Sequence, residues 1–128
     1  MDAVKTIGSA AIAMGLLDIG WLTYRYRYHQ TLFQSIQKSP LTVRWFPAVA
    51  IYLLLPYALY IWAIRDAKTL VEATTKGALT GAILYAFYDL TNYATLADWT
   101  LDMTITDALW GTTLCAIGAS VGYYVGKN

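Results

Sequence analysis

Four apolar stretches of similar length, parted by short polar breaks, limit what this chain can fold into more than any other feature. They run approximately Lys5 to Tyr24, Phe46 to Ile64, Lys76 to Leu96 and Asp107 to Val125. A helix rises about 1.5 Å per residue, so roughly 20 residues cross a hydrocarbon layer about 30 Å thick. Backbone amides find no water in that layer and must bond within their own segment, which makes each stretch a helix. Nothing along the chain has the alternating pattern of membrane barrel strands. Composition points the same way, since 58% of the 128 residues are apolar and only 13% are charged. An ordinary soluble domain carries about 25% charged residues. A small globule keeps much of its area in contact with solvent, so such an excess of apolar surface calls for lipid around it. The expected fold is an all-α integral membrane bundle of four transmembrane helices, a single domain over residues 1–128.

The breaks carry their own information. Lys5 precedes an apolar run from Ile7 to Leu17, as in a cleavable signal peptide. Asp18 interrupts that run, and no small-x-small cleavage site precedes the Tyr and Arg cluster at Tyr24 to Tyr28, so the segment is expected to persist as a true span. From Tyr28 to Lys38, the residues Leu32, Phe33 and Ile36 share one helical side while Gln30, Gln34, Gln37 and Lys38 fall largely elsewhere, and Pro40 ends the pattern. This predicts a short interfacial helix between the first two spans, lying in the headgroup plane over one end of the bundle. The connection Arg65 to Thr75 reads as a tight solvated turn, and Ala97 to Thr106 carries Asp98 and Asp102 without a basic residue.

Four crossings put both termini on one side of the membrane. Lys5, Arg65, Lys68, Lys76 and Lys127 would lie on that side, and Arg25, Arg27, Lys38 and Arg44 on the other. This nearly even division leans only slightly to termini that face the cytoplasm. A net charge of +1 provides no polycationic face, so nucleic acid is not an expected partner. A single cysteine, Cys115, and a single histidine, His29, form neither an internal disulfide nor a zinc-type ligand set. No cofactor and no metal is indicated by these residue types.

Small residues recur at helical spacing. Gly111, Cys115, Gly118, Gly122 and Gly126 form a smooth ridge on the fourth span, Gly77 and Gly81 repeat it on the third, and Gly8, Ala11 and Gly15 on the first. In lipid, helices associate through close van der Waals approach, so these ridges are expected to pack the bundle or to seat a second copy or a larger membrane assembly. Pro56 removes the backbone bond to the Tyr52 carbonyl and is expected to kink the second span. Tyr24, Trp45 and Trp99 fall at interface depth, where amphipathic rings anchor to headgroups.

Three carboxylates demand more explanation: Asp18 late in span one, Asp89 late in span three and Asp107 at the start of span four. Asp18 lies roughly 10 Å of helix from Arg25, and Asp89 slightly more from Asp98, at about 1.5 Å per residue. All three therefore fall in the same half of the membrane. Tyr85 stands one turn before Asp89 and Asn92 one turn beyond it. Charged groups at such depth cost several kcal/mol by insertion scales, roughly 3 each, and are expected to face the bundle interior. Arg25, Arg27, Tyr88 and Asn92 are the natural partners.

The run Tyr88-Asp89-Leu90-Thr91-Asn92-Tyr93-Ala94-Thr95-Leu96, followed by Trp99 and by Asp107-Ala108-Leu109-Trp110-Gly111, resembles the signature of a family of small four-helix predicted membrane proteins, domain of unknown function 2177. Asp18 with Trp21 and Leu22 looks like that family's first-span motif, and Gly77 to Gly81 leading into Tyr85 is similar to its third span. The resemblance covers nearly the whole chain and is loosest from Tyr26 to Trp45. It implies the four-helix topology and singles out the same acids, and it brings no activity, ligand or cofactor. The family occurs in bacteria and in large DNA viruses, which adds an internal virion membrane to the settings it implies.

The candidate ligand-binding set is Asp18, Tyr85, Tyr88, Asp89, Asn92, Asp107 and Trp110. One reading makes it a buried site for a small ligand, a proton or a lipid headgroup. A second makes the chain a structural subunit of a larger membrane assembly, with the acids only setting helix packing. A lipid-modifying enzyme is the least favoured class, because no nucleophile stands beside a base and no phosphate-binding glycine loop is present. With so few helices, a lone molecule also makes a poor alternating-access carrier and would need to dimerise.

Overall fold

The computed structural model describes residues 1–128. The chain is entirely helical, with five helices in the order α1 (Ala3–Tyr24), α2 (Tyr26–Gln37), α3 (Trp45–Leu59, prolonged by a π turn over Tyr60–Ile64), α4 (Leu70–Thr95) and α5 (Leu101–Lys127). Three of the helix starts have a local cause in a capping side chain. The Asp2 carboxylate accepts from the Lys5 amide at 3.1 Å, Thr69 Oγ1 accepts from the Glu72 amide at 3.1 Å, and Thr100 Oγ1 accepts from the Met103 amide at 3.0 Å. These side chains satisfy amides that the first helical turn leaves without partners.

The caps also correct two boundaries. α4 begins at Leu70 rather than near Lys76, and α5 at Leu101 rather than near Asp107, because the Thr caps decide where helix starts while hydropathy marks only its apolar part. The connection read as running to Thr106 is thus a loop of a few residues, and Asp107 sits about two turns inside α5 instead of at its start. At the other end of α2, Lys38 turns left-handed with φ 64°, stopping the helix before Pro40 is reached. In α3, Pro56 lies buried inside the helix, and the Arg65 amide then reaches back to the Tyr60 carbonyl at 2.8 Å in the wider π register.

α4 and α5 form the central antiparallel pair, α1 lies along α5, and the C-terminal part of α3 closes the group. The close approach of α4 and α5 depends on glycine. A Cβ at Gly77 would stand 2.7 Å from the Cys115 carbonyl oxygen, and one at Gly81 2.7 Å from Cys115 Cβ. The α5 ridge serves α1 as well, since a Cβ at Gly122 would lie 3.1 Å from the Thr6 carbonyl oxygen. These two ridges therefore pack one molecule. The α1 ridge does not: nothing lies within 4 Å of a Cβ at Gly8 or Gly15, because α1 turns Thr6, Ala10 and Met14 inward instead.

The core comprises Met14, Leu59, Ala63, Ile64, Ala73, Leu114, Cys115, Ala119 and Tyr123. Leu32 of α2 is buried with Trp99 and Met103, so α2 caps the end of the bundle where α4 turns into α5. The Asp2 amide donates to the Gly126 carbonyl at 3.3 Å, so both chain ends meet at the opposite end. Only 24 of 128 residues are buried, which leaves Ile12, Leu16, Phe46, Leu79, Phe87 and Leu109 pointing outward, each more than half exposed. Two helices, Ala3–Tyr24 and Trp45–Ile64, are long and apolar enough to cross a membrane. α4 and α5 are longer, but the Thr, Gly, Asp and Asn residues they carry dilute their apolar character.

Candidate functional site

The N-terminal half of α3 stands clear of its neighbours; Trp45 is 73% and Leu54 65% exposed. A cleft of about 450 Å³ results, walled by α1, α2, α3, α4 and α5. α1 contributes Asp18 and Trp21, one turn apart, and α5 contributes Asp107 and Trp110 at the same spacing. Tyr85 and Tyr88 enter from α4, Ile51 and Tyr52 from α3, and His29 and Phe33 from α2. A smaller void of about 140 Å³ adjoins it behind Tyr52, reaching Met14, Pro56 and Leu114.

Asp18 is the best-bonded of the three acids at this end of the bundle. Its carboxylate accepts from Trp110 Nε1 at 3.0 Å and from the Tyr52 hydroxyl. The Trp110 ring stacks on Trp21, with centroids 4.7 Å apart and planes within 7°. α1, α3 and α5 are thereby tied through one carboxylate, each bond satisfying a group that hydrocarbon would leave unpaired.

Asp89 is the opposite case. It is completely buried, and neither carboxyl oxygen accepts a hydrogen bond from any donor. The Asp107 carboxyl of α5 stands within hydrogen-bonding reach. Two carboxyls bond to one another only by sharing a proton, so this pair is a place where a proton or another donor must sit. Asp107 faces the cleft, and Asp89 lies behind it.

Of the residues singled out from sequence, Asp18, Tyr85, Tyr88, Asp107 and Trp110 line the cleft. Asn92 does not; it lies beside Tyr88 on α4. The two arginines are not partners of the buried acids. Arg25 pairs with Asp102 at 3.3 Å and lies 4.2 Å over the Tyr28 ring, held at the rim by the same helical distance that separates it from Asp18. Tyr52 and His29 were not singled out as site residues. A tyrosine one turn before Pro56 was the only hint of the first. His29 is held below its ordinary pKa of 6.5, by burial first and by Arg25, against the opposing pull of Asp107 and Asp18.

The protein family described as "predicted membrane protein (DUF2177)" matches residues 3–124. The chain belongs to that family. Family membership and the outward apolar faces agree on a membrane protein, and the family description names no function, so DUF2177 leaves the chemistry of the cleft to its geometry. No curated protein and no solved structure matches this DUF2177 chain.

Proposed function

We propose that this chain is a multi-pass membrane protein, one domain over residues 1–128, in which α1, α3, α4 and α5 each cross the bilayer and α2 rests in the headgroup layer. Both termini then share one face, read as cytoplasmic. The lengths of α4 and α5, 26 and 27 residues, exceed the roughly 20 that a crossing needs. Within them Asp89 and Thr104 are buried, the exposed Thr91, Thr95 and Thr113 hydroxyls donate to carbonyls of their own helix, and Leu79, Ile83, Phe87 and Leu109 face out.

The cleft is a binding site for a small ligand, a proton or a lipid headgroup. The observation that carries this reading is Asp89, fully buried with no donor but a proton shared with Asp107, the carboxyl that faces the cleft. A carboxyl kept only for packing would be expected to have N–H or O–H donors from neighbouring helices, as Asp18 does, because an unsatisfied buried acceptor costs about 1–3 kcal/mol. Asp89→Asn and Asp107→Asn, each measured for thermal unfolding in detergent and for the growth or flux phenotype, test it. Intact melting with lost phenotype is the expected result; melting that collapses together with phenotype would make the pair structural.

A second reading, self-association or membership of a larger assembly, is favoured by one observation. The Gly8, Ala11 and Gly15 face of α1 has nothing packed on its glycines, and close-packing membrane helices use such faces. Native mass analysis after gentle solubilisation checks this: Gly15→Leu should convert an oligomer to monomer, and a wild-type chain that is already monomeric removes the reading.

A further inference from the structure

We infer that the cleft takes the primary ammonium headgroup of an aminophospholipid that enters sideways from the bilayer, an assignment that rests on the cleft being a binding site as proposed above. Donors are what the acidic end of this site lacks. Asp89 is completely buried with no donor but a proton shared with Asp107, and Asp107 lines the cleft. No Lys or Arg lines the cleft, and the nearby Arg25 is engaged with Asp102. An ammonium group brings N–H donors and a positive charge to Asp107, the carboxyl of the pair that faces the cleft.

The walls suit the same ligand. Trp21, Trp110, Tyr52, Tyr85 and Tyr88 surround the space, and aromatic faces attract cations in a dehydrated site. Trp21 Nε1 and His29 Nδ1, both on cleft-lining residues, are buried without partners. An indole N–H can only donate, so the occupant must also present an acceptor, as a phosphate bound through two carbons to an ammonium does. A lipid is favoured over a soluble amine by the way in. The detached half of α3, which carries the exposed Trp45, Phe46 and Leu54, walls the cleft through Ile51 and Tyr52, so acyl chains would remain in hydrocarbon while the headgroup turns inward.

The test is native mass spectrometry of the full chain in detergent, titrated with phosphatidylethanolamine, phosphatidylcholine, phosphatidylglycerol and free ethanolamine. Phosphatidylethanolamine should bind at least about tenfold more tightly than either other lipid, since a quaternary ammonium has no N–H and a glycerol headgroup no charge to place on Asp107. Asp107→Asn should abolish that preference, whereas Leu79→Ala, on the outward face of α4, should leave it intact. Trp21→Phe, which keeps the ring and loses the N–H, should weaken binding and provides an independent variant if Asp107→Asn does not fold. Saturable, Asp107-dependent binding of phosphatidylglycerol would overturn the ammonium assignment and leave a binding site standing. Ethanolamine binding as tightly as its lipid would overturn the lipid assignment. Equal binding of all three lipids, unchanged by Asp107→Asn and by Trp21→Phe, would overturn the assignment and the binding site together.

Discussion

The three acids show how little a residue's type says about its circumstances. Asp18, Asp89 and Asp107 meet at one level of the bundle, yet Asp18 accepts from Trp110 and Tyr52, and no N–H or neutral hydroxyl reaches Asp89. The difference arises from what each helix faces. Asp18 points across to aromatic side chains that end in N–H and O–H groups, and Asp89 points into the seam between α4 and α5, where the facing side chain is another carboxyl. His29, at the rim, provides the pH prediction at this scale. Burial holds its folded pKa below the ordinary 6.5, so the unfolded chain takes up a proton first as pH falls. Stability is therefore complete above about 6.5 and declines as pH drops through that value toward the lower folded one. Thermal unfolding in detergent should show a smaller loss between neutral and mildly acidic pH for His29→Gln than for wild type; equal losses would remove His29 from the account.

At the scale of elements, the helices are held by close contacts that admit no added atoms. A Cβ at Gly111 would overlap the Tyr85 ring, and relief would require that ring to swing out of the cleft wall. Gly111→Ala should therefore lower stability by about 2 kcal/mol, the usual cost of overpacking a filled site. Gly8→Ala, with nothing within 4 Å, should leave the melting temperature unchanged or slightly raised, because alanine favours helix over glycine. Thermal melts of the two variants side by side check the contrast. Spacing alone marked all three small-residue ridges as equivalent. Only the α4 and α5 ridges turned out to pack internally, because packing on a cylinder uses one side and several sides of α1 were chemically eligible.

For the whole molecule, the arrangement of ends is the accessible quantity. The α1 start and the α5 end are joined by the Asp2 to Gly126 bond, and α2 with the α4–α5 loop forms the other end. Four crossings require that single cysteines at Asp66→Cys and Asn128→Cys react with an impermeant thiol reagent from one side of oriented vesicles, and Lys38→Cys and Asp98→Cys from the other. The native Cys115 is fully buried and should contribute little background. Labelling of Asp66→Cys and Asp98→Cys from the same side would sink the four-span reading.

Helicity, the order of the elements, the amphipathic cap and the meeting of Asp18, Asp89 and Asp107 at one level of the bundle followed from the linear order of residues. Hydropathy and helical rise are sums along one axis, and they need no knowledge of neighbours. Rotation about each axis is a different matter. It decided that Tyr52 reaches Asp18, that Asn92 lies off the cleft, that Arg25 turns to Asp102, and that the α1 glycines face outward. Each of these depends on contacts between helices far apart in the chain, where several orientations satisfy the same linear pattern and only the packed tertiary structure selects one.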